Sequence, residues 1–143
     1  YYMPKKDRVV SPKKEQFDNK SMYYKVLFHE LMHSTGHWDR LGRFGKDEDY
    51  NIFGSESYSK EELVAEIGAS MLIALSKLDF EITIDNTSAY IDGWLNALEN
   101  NKKLVVKAAG RAQKAIHHVT EGLDFVNFNY NPEQDNQQSK KVS

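Results

Sequence analysis

Apolar residues recur along this 143-residue chain with a period that changes from segment to segment. At the start, Tyr1, Tyr2 and Met3, and then Arg8, Val9 and Val10, read as two short strands joined by a turn over Pro4 and Asp7. From Ser21, a suitable N-cap, the residues Tyr24, Leu27, Phe28, Leu31 and Met32 follow a 3.6-residue period, which predicts a helix with Gly36 as its terminator. Residues 37–57 are polar and glycine-bearing and read as a long loop.

A second helix is predicted over 59–78. Leu63, Ile67, Met71 and Leu75 form one stripe, and Val64, Ala65, Leu72 and Ile73 widen it until the helix should be largely buried. Phe80, Ile82 and Ile84 alternate like a short extended stretch. Two amphipathic helices follow, one with Tyr90, Ile91, Trp94, Leu95 and Leu98, the other with Val105, Ala108, Ala112, Ile116 and Val119. The last residues lack the apolar content to fold. The pattern therefore predicts an α+β chain, mainly helical, with about four helices and a small N-terminal β element. One domain is expected over 1–125 and a disordered tail over 126–143.

Charge narrows the picture. A formal net charge of −2 weighs against a nucleic-acid surface, and the paired lysines read as solvated. There are no cysteines, so any metal must be held by imidazole and carboxylate. No apolar run approaches the roughly 20 residues that span a bilayer, and no signal peptide is visible, so no membrane partner and a cytoplasmic location are expected. The opening YYMP lacks an initiator methionine and reads as mid-strand, which suggests a C-terminal piece of a longer protein.

The candidate chemistry lies in HELMHSTGH, residues 29–37. His29 and His33, four apart on a helix, leave the same face and can converge on one ion. Glu30 then projects beside the metal, where it can take a proton from a bound water. Chance would produce H-E-x-x-H here with a probability of roughly 1%. The third ligand is less determined. His37 would stand about 12 Å above His29 on an unbroken helix. Asp39 completes an H-E-x-x-H-x-x-G-x-x-D pattern, but Met71 sits in a helix and supplies no methionine turn. Glu62 and Glu66 share a face of the second helix. Ser59-x-x-Glu62 also reads as a capping box, whereas Glu66 lies deep in an apolar helix.

HELMHSTGHWDRL followed by YSKEELVAEIGASML resembles the zincin-like metallopeptidase domain of ArdC-type antirestriction proteins and related polyvalent and conjugal-transfer proteins. YYMPKKDRVVSP, SAYIDGWLNAL and AAGRAQKAIHHV extend the resemblance over about residues 1–122. It implies a zincin-like fold in which Glu62 is the third ligand and Glu66 orients an imidazole. His37, Arg40 and Arg43 occupy positions that recur in the family's motif, with substrate contact as the expected role. Tyr58 is a candidate donor to an oxyanion.

The expectation is a zinc-dependent metallopeptidase acting on a peptide or protein, with manganese or another divalent metal as a substitute for zinc. Single-stranded DNA would be met only through a domain not present in this sequence. The alternative is a catalytically silent metal-binding interaction or DNA-handling module of a mobile element.

Overall fold

The computed structural model describes residues 1–45, 56–76 and 102–121. The expected extended stretch near Ile82, the helix around Trp94 and the tail over 126–143 lie outside the described residues.

Strands β1 (Tyr2–Met3) and β2 (Arg8–Val9) pair antiparallel, Tyr2 opposite Val9 and Met3 opposite Arg8. A 3₁₀ turn over Pro4–Lys6 joins them. Asp7 closes it in the left-handed region at φ 46°, its N–H donating to the Pro4 carbonyl at 3.1 Å. Aspartate is among the few side chains that tolerate this conformation.

Helix α1 spans Lys20–Ser34. Its cap is Asn19, not Ser21: the Asn19 side chain accepts from the Met22 N–H at 2.8 Å. Phe17, Tyr23, Tyr24 and Phe28 pack ring against ring along its first turns. Helix α2 spans Glu56–Ser76 and helix α3 spans Lys102–Thr120. Because α2 begins at Glu56, Ser59 lies inside it, and Glu62 is no longer a capping residue.

Helix α2 is the central layer. Towards α1, Met32 packs with Ala65, Ala69, Leu72 and Ala115; on the other flank Val64 and Ile67 meet Ala108 and Ala112 of α3. Alanines on the facing surfaces let the helices approach closely. Gly68 is needed for the same reason, since a Cβ there would come within 2.6 Å of the Met32 sulfur. The predicted stripe runs off the packed face at its end, where Met71 and Leu75 are 38% and 42% exposed.

Past α1 the chain turns back on itself. Leu41, Gly42 and Phe44 donate to the carbonyls of Thr35, His37 and Gly36 at 3.0–3.1 Å. Gly36 does not take the left-handed conformation expected of a helix terminator; among the described residues only Asp7 and Gly42 have positive φ. Its value is spatial. A Cβ at Gly36 would lie 2.6–2.9 Å from the ring of the buried Phe44.

Candidate metal centre

The two imidazoles of α1 meet one carboxylate of α2. The Nε2 atoms of His29 and His33 are 2.9 Å apart, Glu62 Oε2 is 3.4 Å from the first, and Glu62 Oε1 is 3.3 Å from the second. Atoms sharing one ion at about 2.0–2.1 Å stand about 2.8–3.4 Å apart for angles between about 90° and about 109°. The two nitrogens, and each nitrogen with one Glu62 oxygen, lie within that span, so the carboxylate faces both imidazoles. His29, His33 and Glu62 form the cluster that could hold a metal ion among the described residues.

The far side of each ring fits the same purpose. His29 Nδ1 faces Glu66 Oε1 at 3.1 Å, and His33 Nδ1 faces Glu61 Oε1 at 3.5 Å. Both Nδ1 atoms are buried, and neither has a well-aligned hydrogen bond. The nearby carboxylates favour a proton on Nδ1, which directs the Nε2 lone pairs into the cluster, the arrangement a metal-bound histidine requires. The donor set, two nitrogens and one carboxylate, suits a divalent cation.

Without an ion the carboxylates hold protons on the rings instead. Burial opposes charge on His29, but the adjacent Glu62 and Glu66 carboxylates outweigh it and push the imidazole up to about 9. His33 is raised for like reasons: burial and the His29 charge oppose, and Glu61 and Glu62 prevail. Burial disfavours the Glu62 carboxylate, yet the two imidazoles hold it well below the usual carboxylate range.

Glu61 is the site residue that sequence reasoning missed. It is buried and gripped by Arg43, whose Nε donates to Oε2 at 2.9 Å and whose Nη2 donates to Oε1 at 2.7 Å. The signal was present in the Glu61–Glu62 pair of EELVAE, but adjacent helical residues project about 100° apart, and sequence alone does not assign the two directions.

The remaining expected residues lie elsewhere. Glu30 Oε1 sits 3.5 Å from the Tyr1 amino group and is absent from the cluster. His37 is buried with its Nδ1 accepting from the Asp39 N–H at 3.2 Å, and the Asp39 side chain is 71% exposed. Neither joins the three ligands. Arg40 donates to the Ser34 carbonyl at 2.6 Å and to the Tyr2 hydroxyl at 2.9 Å, and pairs with Asp7. This clasp borders a cavity of about 480 Å³ between the hairpin and the end of α3, a cavity that contains none of the three ligands. Tyr58 lies in the first turn of α2 rather than before it, and its side chain falls outside the description.

Residues 1–111 match the model of the family described as zincin-like metallopeptidase. The chain belongs to this family. It is closely related to the ArdC-type proteins of antirestriction and conjugal transfer. The Mn(II)-bound crystal structure of the antirestriction ArdC protein from plasmid R388 is similar at 40% identity and a TM-score of 0.65, over 90% of this chain and 45% of that one. Its metal-free structure matches with a TM-score of 0.63, 40% identity, and coverage of 91% and 44%. A DNA primase TraC of Escherichia coli is 38% identical over 119 residues, 83% of this chain and 8% of that protein. The protein y4eC of Sinorhizobium fredii is 35% identical over 114 residues, 80% of this chain and 36% of its own length. The chain thus spans about a tenth to about a third of the curated relatives it matches and less than half of the solved ones.

These findings confirm a mainly helical zincin-like fold with a two-stranded N-terminal β element, and a His/His/Glu cluster able to hold a divalent metal. They correct the expectation of peptide hydrolysis. The solved relatives are structures of an antirestriction protein, and membership of a zincin-like family establishes the fold and not the reaction. Among the described residues no helix is long and apolar enough to cross a membrane.

Proposed function

We propose that this chain is a divalent-metal-binding module of a DNA-handling protein of the antirestriction and conjugal-transfer kind, working without peptide hydrolysis. The observation that carries the metal reading is the convergence of His29, His33 and Glu62 with a carboxylate behind each ring. His29 and His33 would present Nε2, Glu62 would present its carboxylate from the opposite helix, and Glu66 would hold the His29 ring in place. A bound ion supplies a concentrated positive charge at the seam of α1 and α2. Zinc and manganese both suit this donor set, and the Mn(II)-bound ArdC relative supports manganese as an accepted ion.

The DNA-handling part rests on the relatives' names and on α3. Lys102–Thr120 contains no acidic residue, and Lys103, Lys107, Arg111 and Lys114 are all exposed. At 100° per residue these four fall within about 80° of one face, over about 16 Å of helix. Among the described residues none of them has an ion-pair partner. The near-neutral total charge conceals this segregation. A row of unpaired cations suits a phosphate backbone.

Metal uptake is measured by isothermal titration calorimetry with Mn(II) and Zn(II). One ion per chain is expected, with loss of binding in Glu62→Gln and His33→Ala; absence of uptake by the parent chain refutes the reading. Fluorescence anisotropy with a single-stranded oligonucleotide tests the second part. Binding should weaken with salt, and Lys107→Glu with Lys114→Glu should abolish it; salt-independent binding, or none at low salt, removes DNA contact from this chain.

A further inference from the structure

We propose that Arg43 is a positioning residue for the metal. Through Glu61 it fixes the His33 ring, so that metal binding and closure of the 35–44 segment over the helix end are one coupled event. This rests on the metal reading above and adds a residue from outside both ligand helices.

The geometry is a relay of three buried side chains. His33, Glu61 and Arg43 are 10%, 5% and 7% exposed at their side chains. Arg43 forks onto both Glu61 oxygens, and the oxygen it shares with His33, Oε1, is 3.5 Å from His33 Nδ1. A carboxylate so far from water needs a fixed cation, and the planar guanidinium supplies two parallel hydrogen bonds that a lysine ammonium does not.

The other donors of Arg43 close the loop. Nη1 donates to Thr35 Oγ1 at 2.9 Å and Nη2 to the Met32 carbonyl at 2.8 Å. Thr35 Oγ1 donates in turn to the same Met32 carbonyl at 2.6 Å. A carbonyl in the last turn of α1 has no partner further along the helix, so Arg43 and Thr35 together satisfy it. Phe44, the next residue, is seated against Gly36. One side chain thus bonds the end of the helix that carries both histidines, the segment after it, and the α2 carboxylate beside the Glu62 ligand. Arg43 can reach Glu61 only when the segment is folded back. An ion on His33 Nε2 therefore favours the closed segment, and the closed segment favours the ion.

The test uses the 143-residue chain and Mn(II) or Zn(II) alone as ligand. Arg43→Lys, Arg43→Met and Glu61→Gln are compared with the parent by competition against a chelator. Asp7→Asn, which loosens the separate Arg40 clasp, is the control. The three relay variants should bind metal about 10–100-fold more weakly, the range typical when a partner behind a ligating histidine is lost. The control should bind within about threefold of the parent. In the zinc-loaded parent, ¹⁵N chemical shifts should report His33 as protonated on Nδ1, and hydrogen exchange should show metal-dependent protection over 35–44. Glu61→Gln leaves the buried Arg43 charge unpaired and should melt lower without metal, so both signatures are read well below each variant's own melting temperature; their loss in the folded variant is a pattern that a merely structural role would not produce. If Arg43→Met does not fold, Arg43→Lys and Glu61→Gln decide. Parent-like affinity in either folded variant overturns the inference and leaves the metal reading intact. No metal uptake by the parent overturns both.

Discussion

Gly68→Ala tests whether the spacing of α1 and α2 is set at the contact between Gly68 and Met32. A Cβ at Gly68 would meet Met32 Sδ at 2.6 Å and Cγ at 2.8 Å. Ordinary contacts are about 3.5–4.0 Å, so two atoms overlap by about 1 Å. A methionine on a surface would swing aside, but Met32 is 0% exposed and enclosed by Ala65, Ala69, Leu72 and Ala115. Overpacking of this kind costs about 1–3 kcal/mol, while alanine over glycine inside a helix returns about 0.8–1 kcal/mol. The net loss, about 0–2 kcal/mol, is too close to zero for the single variant to decide. A double-mutant cycle with Met32→Ala does decide. Truncation removes Sδ and Cγ and leaves Cβ at an ordinary 3.6 Å. In that background Gly68→Ala should stabilise by about 1 kcal/mol, giving a coupling of about 1–3 kcal/mol. Met32→Ala itself costs about 2–5 kcal/mol, which a domain of ordinary stability survives. Urea unfolding of the four metal-free proteins measures the cycle. Additivity within about 0.5 kcal/mol would falsify the close-approach account.

Three further outcomes follow from the same contacts. Asn19→Ala removes the side-chain acceptor of the Met22 N–H and should cost about 1 kcal/mol, with Asn19→Ser nearly neutral in thermal melts; equal losses would point to another role. Gly36→Ala should destabilise through the Phe44 ring, and Phe44→Leu should relieve it; insensitivity to the residue at 44 would rule out the steric cause. The metal-free and metal-loaded proteins should respond oppositely to pH. His29 is raised from 6.5 to about 9, so its contribution to stability is full below about pH 6.5 and is lost as pH rises through about 9. Metal must displace those protons, so affinity should climb across the same window. Urea midpoints in chelator and Mn(II) titrations at pH 6, 7.5 and 9 would show it, and a flat response in both would contradict the proximity of Glu62 and Glu66 to the His29 ring.

What the sequence revealed depended on how local the cause was. His29 and His33 are related by helix geometry alone, so their convergence was legible from spacing. The burial of α2 followed from its width of apolar positions. Glu61 was not legible, because its role depends on Arg43, a residue from a turned-back segment whose path no periodicity encodes. Gly36 stands where a left-handed helix terminator would, but its φ is not positive and the Phe44 ring is what excludes a Cβ there. Ser21 lost the cap to Asn19 because two capping residues two positions apart are equivalent until tertiary contacts fix where the helix starts. The peptidase expectation failed at the step from motif to reaction: the spacing of HELMH places two metal ligands, whereas the solved relatives are structures of an antirestriction protein.

The distribution of the ligands over two helices has a consequence for the polymer. Between His33 and Glu62 lie 28 residues, so an ion shared by the two would close a loop of that length, as a covalent cross-link does. The entropy of closing a flexible loop grows only with the logarithm of its length, about 0.6 kcal/mol for each doubling. Insertions between Phe44 and the second ligand helix would therefore cost the site little, whereas a shift of one residue within either helix would turn a ligand about 100° away. The spacing inside HELMH and EELVAE is rigidly constrained, and beyond the Arg43 segment the distance between them along the chain is close to free.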